Sequence, residues 1–265
     1  MEKIRMYQVD AFTERLFSGN PAAVCMMDSW IADDMMQSIA GENNLPETVF
    51  IVGKEQDYEI RWFAPTTEVD LCGHATLASA YVLFDILGYA GSVIRFHSLK
   101  SGVLSVEKKD GMFFLDFPTD MLSEVTDEQN EMLSKCIGMK PLEAYKGRTD
   151  YLVIVANESA VKNLKPDFNA TKALNARGLI VSAKGDSVDF VSRFFAPQIG
   201  VDEDPVTGSA HTSLIPLWSR KTGKTELVAN QLSQRGGQLV CRFKGDRCLI
   251  GGKARLFLSG EIYLD

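Results

Sequence analysis

The feature that most constrains the fold of this chain is an internal repeat. The segment from Arg61 to Asp70 reads RWFAPTTEVD, and the segment from Arg193 to Asp202 reads RFFAPQIGVD. The second copy begins 132 residues after the first, from position 61 to position 193, which is close to half of the 265-residue chain. A repeat on this scale predicts two similar halves.

The repeat continues after one change of register. Gly73 to Thr76 (GHAT) aligns with Gly208 to His211 (GSAH), which lies 135 residues later, so the second copy holds three extra residues. In each copy a strand-like segment ends at Phe-Ala-Pro, a loop with acidic residues follows, and a glycine begins a helix. The shared order of elements indicates that the two halves fold alike.

Each half has one helix that other structure should enclose. The first, predicted from about Ala75 to Leu87, is apolar on nearly every side. The second, from about Ser209 to Lys221, contains Pro216, which should bend or shorten it.

Strands are predicted around these helices by apolar alternation, with surface helices at residues 31–43 and 128–137. The expected fold class is α+β: two pseudo-symmetric domains, each a mostly antiparallel mixed β-sheet or barrel wrapped around a central α-helix. The expected domains are residues 1–118 and 119–265, with a crossover from Pro118 to Asp127. The last strand is allowed to pack on the N-terminal half. The strands are predicted at residues 4–10, 22–27, 48–53, 58–63, 93–97, 103–107, 112–117, 151–156, 178–182, 189–195, 238–243, 247–251 and 261–264.

Composition excludes several classes of function. The net charge is -7 and the basic residues are scattered, so no nucleic-acid partner is expected. No apolar run is long enough to span a bilayer and the N-terminus lacks signal-peptide features, so we expect no membrane partner and a cytoplasmic location. The five cysteines are odd in number and never two residues apart, which predicts reduced thiols rather than disulfides or a zinc knuckle.

The two helix starts are the expected functional region. The duplicated loops 70–74 and 202–209 should converge on one cleft between the halves, where helix N-termini can bind the carboxylate of a small molecule. Gly73 and Gly208 allow the backbone to approach a ligand closely. Ser209 can either cap its own helix or donate a hydrogen bond to the ligand.

Two carboxylates are candidates for acid–base chemistry. Asp204 follows Asp202 and Glu203, and this acidic run fits a solvated turn, a Mg²⁺ site or a general acid or base. Because no other ligand cluster accompanies it, no metal is expected. Glu47 follows Pro46, which fixes the turn before a strand and so holds the backbone of Glu47 rigidly, as suits a catalytic group. A glutamate at the start of a strand is also commonly a solvated surface residue.

Four ordered segments span nearly the whole chain: Ser18 to Val24 (SGNPAAV), Leu45 to Phe50 (LPETVF), Leu71 to Ala78 (LCGHATLA) and Glu203 to Ala210 (EDPVTGSA). Together they resemble the marker segments of the PhzF-like family of phenazine-biosynthesis isomerases. The resemblance implies the diaminopimelate epimerase-like fold, an active site between the two domains, isomerisation without a cofactor, and a homodimer.

The resemblance also implies roles for individual residues. The glutamate that shuttles the proton falls on Glu47. The assisting residues and the backbone contacts to the substrate fall on His74, Asp204, Ser209, Gly73 and Gly208.

The related epimerases carry a cysteine before each helix-starting glycine, but here the two positions hold Cys72 and Thr207. A two-thiol epimerase is therefore in doubt, and Cys72 either lines the pocket or takes part in catalysis. Asn20 falls where the epimerases hold substrate, and a simple turn residue before Pro21 is an equally good interpretation.

The expected activity is movement of a proton between carbons of a small carboxylate-bearing metabolite, with Glu47 as general acid and base and no cofactor. Two alternatives stay open. One is an amino-acid racemase or epimerase that uses Cys72, and the other is a metabolite-binding protein without turnover.

Overall fold

A computed structural model describes residues 2–54 and 57–264. The chain forms two compact units. The first runs to Asp116 and resumes at Gly251, and the second extends from Phe117 to Ile250. Among the described residues, no helix combines the length and apolar composition needed to cross a bilayer.

The strands are numbered in chain order: β1 (Glu2–Ala11), β2 (Asn20–Met27), β3 (Glu47–Lys54), β4 (Asp57–Ala64), β5 (Thr67–Val69), β6 (Val93–Ser98), β7 (Gly102–Lys109), β8 (Met112–Pro118), β9 (Ser123–Glu124), β10 (Glu143–Lys146), β11 (Asp150–Ile154), β12 (Gly178–Lys184), β13 (Phe190–Ala196), β14 (Val201–Asp204), β15 (Glu226–Gln231), β16 (Gly237–Lys244), β17 (Arg247–Gly252) and β18 (Ala254–Leu264). The α-helices are α1 (Asp33–Asn43), α2 (Gly73–Tyr81), α3 (Asp127–Ile137), α4 (Glu158–Lys162), α5 (Phe168–Lys172) and α6 (Gly208–Thr222).

In the first unit a mixed sheet surrounds α2. Strand β1 pairs antiparallel with both β18 and β2, β2 runs parallel to β3, and β3 is antiparallel to β4. Every residue of α2 from His74 to Ala80 is buried, and the helix packs on β1, β2, β3, β7 and β18. Its small side chains, including Ala75 and Ala78, let the strands approach on several sides, as its apolar sequence predicts.

The second unit repeats this plan around α6. Strand β11 runs parallel to β12, β12 is antiparallel to β13, and β15 is parallel to β13 and antiparallel to β16. Helix α6 packs on β15 and β16 and buries residues along its length, among them Ala210, Leu214 and Trp218. The predicted α+β class, with a mixed sheet around a central helix in each unit, is therefore confirmed.

The sequence misses several elements that are short or lack periodicity. Strand β10 is four residues long and half-buried throughout, so it shows no apolar alternation. Helices α4 and α5 have five residues each, which is too short for a helical repeat to be seen. Strand β15, which the sequence prediction leaves out altogether, alternates in burial, but it buries the polar Gln231 and leaves Val228 half-exposed, so its apolar residues do not alternate.

Of the two effects predicted for Pro216, a bend or a shortening of the second central helix, the shortening does not occur, because α6 continues to Thr222. Proline has no N–H to donate to the carbonyl of Thr212, four residues earlier. That carbonyl instead accepts a hydrogen bond of 3.1 Å from the backbone N–H of Asp120. The Asp120 carboxylate in turn accepts from the Ser213 hydroxyl at 2.9 Å, so a residue outside the helix replaces the missing bond.

Candidate active site

In the first unit, two strand starts and one helix start bring four polar side chains together. Asn20 is the first residue of β2 and Glu47 the first of β3. The parallel register pairs Ala22 with Glu47, so both strands begin at the same edge of the sheet. Cys72 is the N-cap of α2, and His74 is the second residue of that helix.

His74 is at the centre of this group. Its Nδ1 lies 3.1 Å from the amide nitrogen of Asn20 and 3.4 Å from the sulfur of Cys72. Its Nε2 lies 3.2 Å from Oε2 of Glu47. Asn20, Cys72 and His74 are all buried, and the Glu47 side chain is 19% exposed, so Glu47 is not a solvated surface residue.

The charge state of His74 decides what its contact with Glu47 means. Burial lowers the pKa of His74 to about 3, and a hydrogen bond to the Pro21 carbonyl acts in the opposite direction. The imidazole is therefore neutral near pH 7, and its contact with Glu47 is not an ion pair in spite of the short distance. The neutral ring carries a single hydrogen, and the nitrogen that holds it decides whether Nδ1 accepts from or donates to the Asn20 carboxamide.

In the second unit, the start of α6 carries a different polar group. Thr207 is the N-cap, and its hydroxyl donates a hydrogen bond to Oδ2 of Asp204. The buried Gln231 accepts from the Thr207 N–H at 2.9 Å and donates to the Asp204 carbonyl at 2.8 Å and to the Thr207 hydroxyl at 3.1 Å. This network fixes Asp204 and the first turn of α6 in one arrangement.

Comparison with known proteins identifies the family. The family model described as phenazine biosynthesis-like protein, PhzC-PhzF, matches residues 9–260. The chain belongs to this family. An uncharacterised isomerase of Pseudomonas aeruginosa is 49% identical over 262 residues, which cover 99% of each chain. The crystal structure of a PhzF-family phenazine biosynthesis protein from Enterococcus faecalis superposes with a TM-score of 0.93 at 47% identity, covering 99% of this chain and 100% of that one.

More distant structures share the fold alone. A hydroxyproline epimerase from Agrobacterium vitis matches 99% of this chain and 93% of its own with a TM-score of 0.62, at 9% identity. The PhzF-like protein therefore has the epimerase-like fold predicted from its motifs. Because its close relatives are named isomerases, it is an enzyme of the isomerase class.

The residues that the resemblance to the PhzF-like family and to the related epimerases implicates fall into two groups. Asn20, Glu47, Cys72, Gly73 and His74 lie together in the first unit. Asp204, Gly208 and Ser209 lie around the start of α6 in the second unit. Both central helices begin at the expected glycine.

Two second-unit residues differ from the simplest sequence interpretation. Ser209 lies inside α6, one residue after its start, so Thr207 and not Ser209 occupies the N-cap. Glu203 forms a double contact with Arg193, at 2.7 and 2.8 Å, and is thereby tied to the sheet rather than offered to a metal.

Gln231 is the polar residue of this region that the sequence misses. It ends β15, and it is 1% exposed although glutamine is usually at the surface. No local pattern marks it, because its partners Asp204 and Thr207 lie more than twenty residues earlier.

Proposed function

We propose that this PhzF-like enzyme moves a proton between two carbons of a small carboxylate-bearing metabolite without a cofactor, using Glu47 as general acid and base. The observation that carries the proposal is the Glu47 carboxylate held 3.2 Å from a buried, neutral His74. A carboxylate on a rigid strand start, next to a helix N-terminus that can bind an anion, fits proton abstraction beside a bound carboxylate.

The neutral state of His74 matters for the chemistry. A protonated imidazole would stabilise the Glu47 carboxylate through a full charge and weaken it as a base. A neutral imidazole 3.2 Å away adds no positive charge and leaves the carboxylate the stronger base. After abstraction the protonated Glu47 carries the hydrogen and returns it to the second carbon, so one residue serves both half-reactions.

Anchoring of the substrate is the task of the remaining residues in this proposal. The first N–H groups of α2 around Gly73, together with the Asn20 amide, are suited to hold a carboxylate or hydroxyl group. The roles of Asp204, Gly208 and Ser209 in holding the substrate stay predictions that rest on the family resemblance, as does the homodimer.

Hydrogen exchange in D₂O tests the proposal. The full-length protein is incubated with a panel of small hydroxy- and amino-carboxylates, and deuterium uptake into carbon is followed by NMR for wild type, Glu47→Gln and Glu42→Gln. Glu42 is an exposed glutamate near the end of α1 and serves as the matched control. We expect uptake in wild type and the control only. Equal uptake by Glu47→Gln would remove Glu47 from the role.

A racemase that uses Cys72 is the second candidate, because the thiol lies 3.4 Å from Nδ1 of His74 and faces the same group as Glu47. Against it, the corresponding position of the second unit is Thr207, whose hydroxyl is engaged by Asp204. A polarimetric assay separates the two: inversion of a pure amino-acid enantiomer that Cys72→Ala abolishes would favour the racemase. Tight binding of a carboxylate without any exchange would favour a protein that binds without turnover.

A further inference from the structure

Three side chains able to bind a metal ion meet beside the start of α2. A carboxylate oxygen of Glu47, the sulfur of Cys72 and an imidazole nitrogen of His74 all lie within 4.8 Å of one another. The sequence does not predict this cluster, because the glutamate is far from the other two in the chain and the cysteines lack zinc-site spacing.

We propose that Glu47, Cys72 and His74 form a binding site for a single divalent transition metal of the zinc class, and that the bound metal inhibits the enzyme. Sulfur, nitrogen and oxygen donors together suit Zn²⁺ and Co²⁺, whereas Mg²⁺ requires oxygen ligands. Bonds of about 2.0–2.3 Å to a tetrahedral ion place its ligand atoms roughly 3.3–3.8 Å apart. Whichever ring nitrogen binds the ion, one observed contact is close to that range: 3.2 Å to Glu47 for Nε2, or 3.4 Å to Cys72 for Nδ1.

The two contacts use opposite nitrogens of the ring, since Glu47 faces Nε2 and Cys72 faces Nδ1. Coordination through one nitrogen therefore requires a side chain of the cluster to rotate, and the three ligand atoms lie within 4.8 Å of one another before it does. The Asn20 carboxamide beside Nδ1 can donate to the ring or, turned over, accept from it, so it supports either tautomer. Glu47 is the most exposed member of the cluster.

The donor atoms fit a divalent transition metal. The His74 imidazole offers a ring nitrogen, and Cys72, the N-cap of α2, offers a sulfur that binds a metal as the thiolate. Binding of the divalent ion breaks the S–H bond, forms an S–metal bond and releases one proton to solvent.

Inhibition follows from the same geometry, and only this part rests on the proposed function. A metal that holds the Glu47 carboxylate removes the base from proton transfer. Metal binding itself depends on the three ligands alone.

Titration of the full-length protein with Co²⁺ tests the site directly. A thiolate ligand gives a charge-transfer absorption in the near ultraviolet, and the visible bands report the coordination geometry. We expect these bands to saturate at one ion per chain and to disappear when Zn²⁺ is added. Cys72→Ser, which keeps the side-chain size, should lose the charge-transfer band. Glu47→Gln and His74→Asn should each weaken binding at least about tenfold.

Two variants control for other binding. Cys136→Ala removes a buried thiol elsewhere and should leave the bands intact. His97→Asn removes an exposed histidine that lies 3.6 Å from Asp57 and could hold surface metal, and it should also leave them intact. Circular dichroism confirms that each variant is folded. A wild-type protein without the charge-transfer band, or a Cys72→Ser variant that keeps it, would overturn the proposal.

The outcomes are separable from those of the proposed function. Deuterium exchange by metal-free protein that depends on Glu47, without any cobalt bands, would support the isomerase and reject the metal site. Cobalt bands that require Cys72, without exchange in the metal-free protein, would support the site and reject the isomerase mechanism.

Discussion

The starts of the two central helices share a framework and differ in chemistry. Before α2, Arg61 binds Glu68 through two hydrogen bonds, at 2.7 and 3.0 Å. Before α6, Arg193 binds Glu203 in the same way. Each pair joins the strand of the repeated motif to the short strand that follows it, so the repeat seen in the sequence is also a repeat of contacts.

The match extends into the first turn of each helix. The Thr76 hydroxyl donates to the Cys72 carbonyl at 2.6 Å, and Nδ1 of His211 donates to the Thr207 carbonyl at 2.8 Å. In both helices a side chain four residues after the N-cap therefore binds the N-cap carbonyl. The common backbone plan is preserved by different residue types.

The difference lies in what surrounds the N-cap residue. At α2 it is a thiol beside an imidazole and a carboxylate, all groups that can exchange protons. At α6 it is a hydroxyl held by Asp204 and Gln231. The two helix starts therefore share a scaffold but not their polar side chains, and the chemistry proposed above uses the groups at the first.

The largest expected effect contrasts the two carboxylates. Glu47→Gln should lower the rate of hydrogen exchange by about 10²–10⁴-fold, the usual contribution of a general acid or base. Asp204→Asn keeps a group that can accept a hydrogen bond from Thr207. Its loss of exchange rate should be at least tenfold smaller than that of Glu47→Gln. Single-turnover exchange measured by NMR compares them. A larger loss in Asp204→Asn would place the chemistry at the second helix.

The second effect concerns stability at α6. Gln231→Leu should lower the free energy of unfolding by about 3 kcal/mol, because it leaves the Thr207 N–H and the Asp204 carbonyl without their buried partner. Gln238→Leu, at an exposed position on β16, should change it by less than about 0.5 kcal/mol. Urea denaturation measures both. Equal effects of the two substitutions would mean that the network does not hold the helix start.

The third effect is a pH dependence that both helices should share. Burial lowers the pKa of His74 to about 3 and that of His211 to about 4, from an ordinary value of 6.5. Between pH 7 and pH 5 the unfolded chain binds protons and the folded chain does not, so stability falls as the pH falls. Each histidine should lower the free energy of unfolding by about 2 kcal/mol at pH 5 relative to pH 7.

Denaturation of His74→Asn and His211→Asn at several values between pH 5 and pH 7 tests this dependence. Each substitution should reduce the pH dependence of the free energy of unfolding by the contribution of one histidine. Carboxylates whose pKa is lowered, such as Glu143, contribute to the pH dependence of stability mainly at more acidic pH. A slope that either variant leaves unchanged would contradict a neutral, buried histidine at that position.

The smallest expected effect is that of Thr76→Val. The substitution removes the hydrogen bond from the hydroxyl to the Cys72 carbonyl. That carbonyl still accepts a hydrogen bond of 3.1 Å from the Thr76 backbone N–H. No buried acceptor loses its last partner, so the free energy of unfolding should fall by about 1 kcal/mol or less. Thermal denaturation beside Thr76→Ser, which keeps the hydroxyl, measures the difference. A loss several times larger would show that the hydroxyl has a further role.

The sequence predicts the parts of the candidate site that local patterns encode. Gly73 and Gly208 mark the helix starts because a glycine follows each loop of the repeat, and Glu47 stands out because Pro46 precedes a strand. The meeting of Glu47, Cys72 and His74 is not encoded locally, since it depends on β3 lying parallel to β2 beside α2. The burial of Gln231 likewise depends on strand pairing that no short segment shows.

The sequence by itself determined the two-part plan, the enclosed central helices and the family, because periodicity, glycine positions and ordered motifs are properties of neighbouring residues. Only the tertiary structure decided that His74 is neutral, that Pro216 leaves α6 intact through Asp120, and that Thr207 is held by Gln231. Burial and hydrogen-bond partners are set by chain segments that meet only after folding, which is the physical reason the sequence could not supply them.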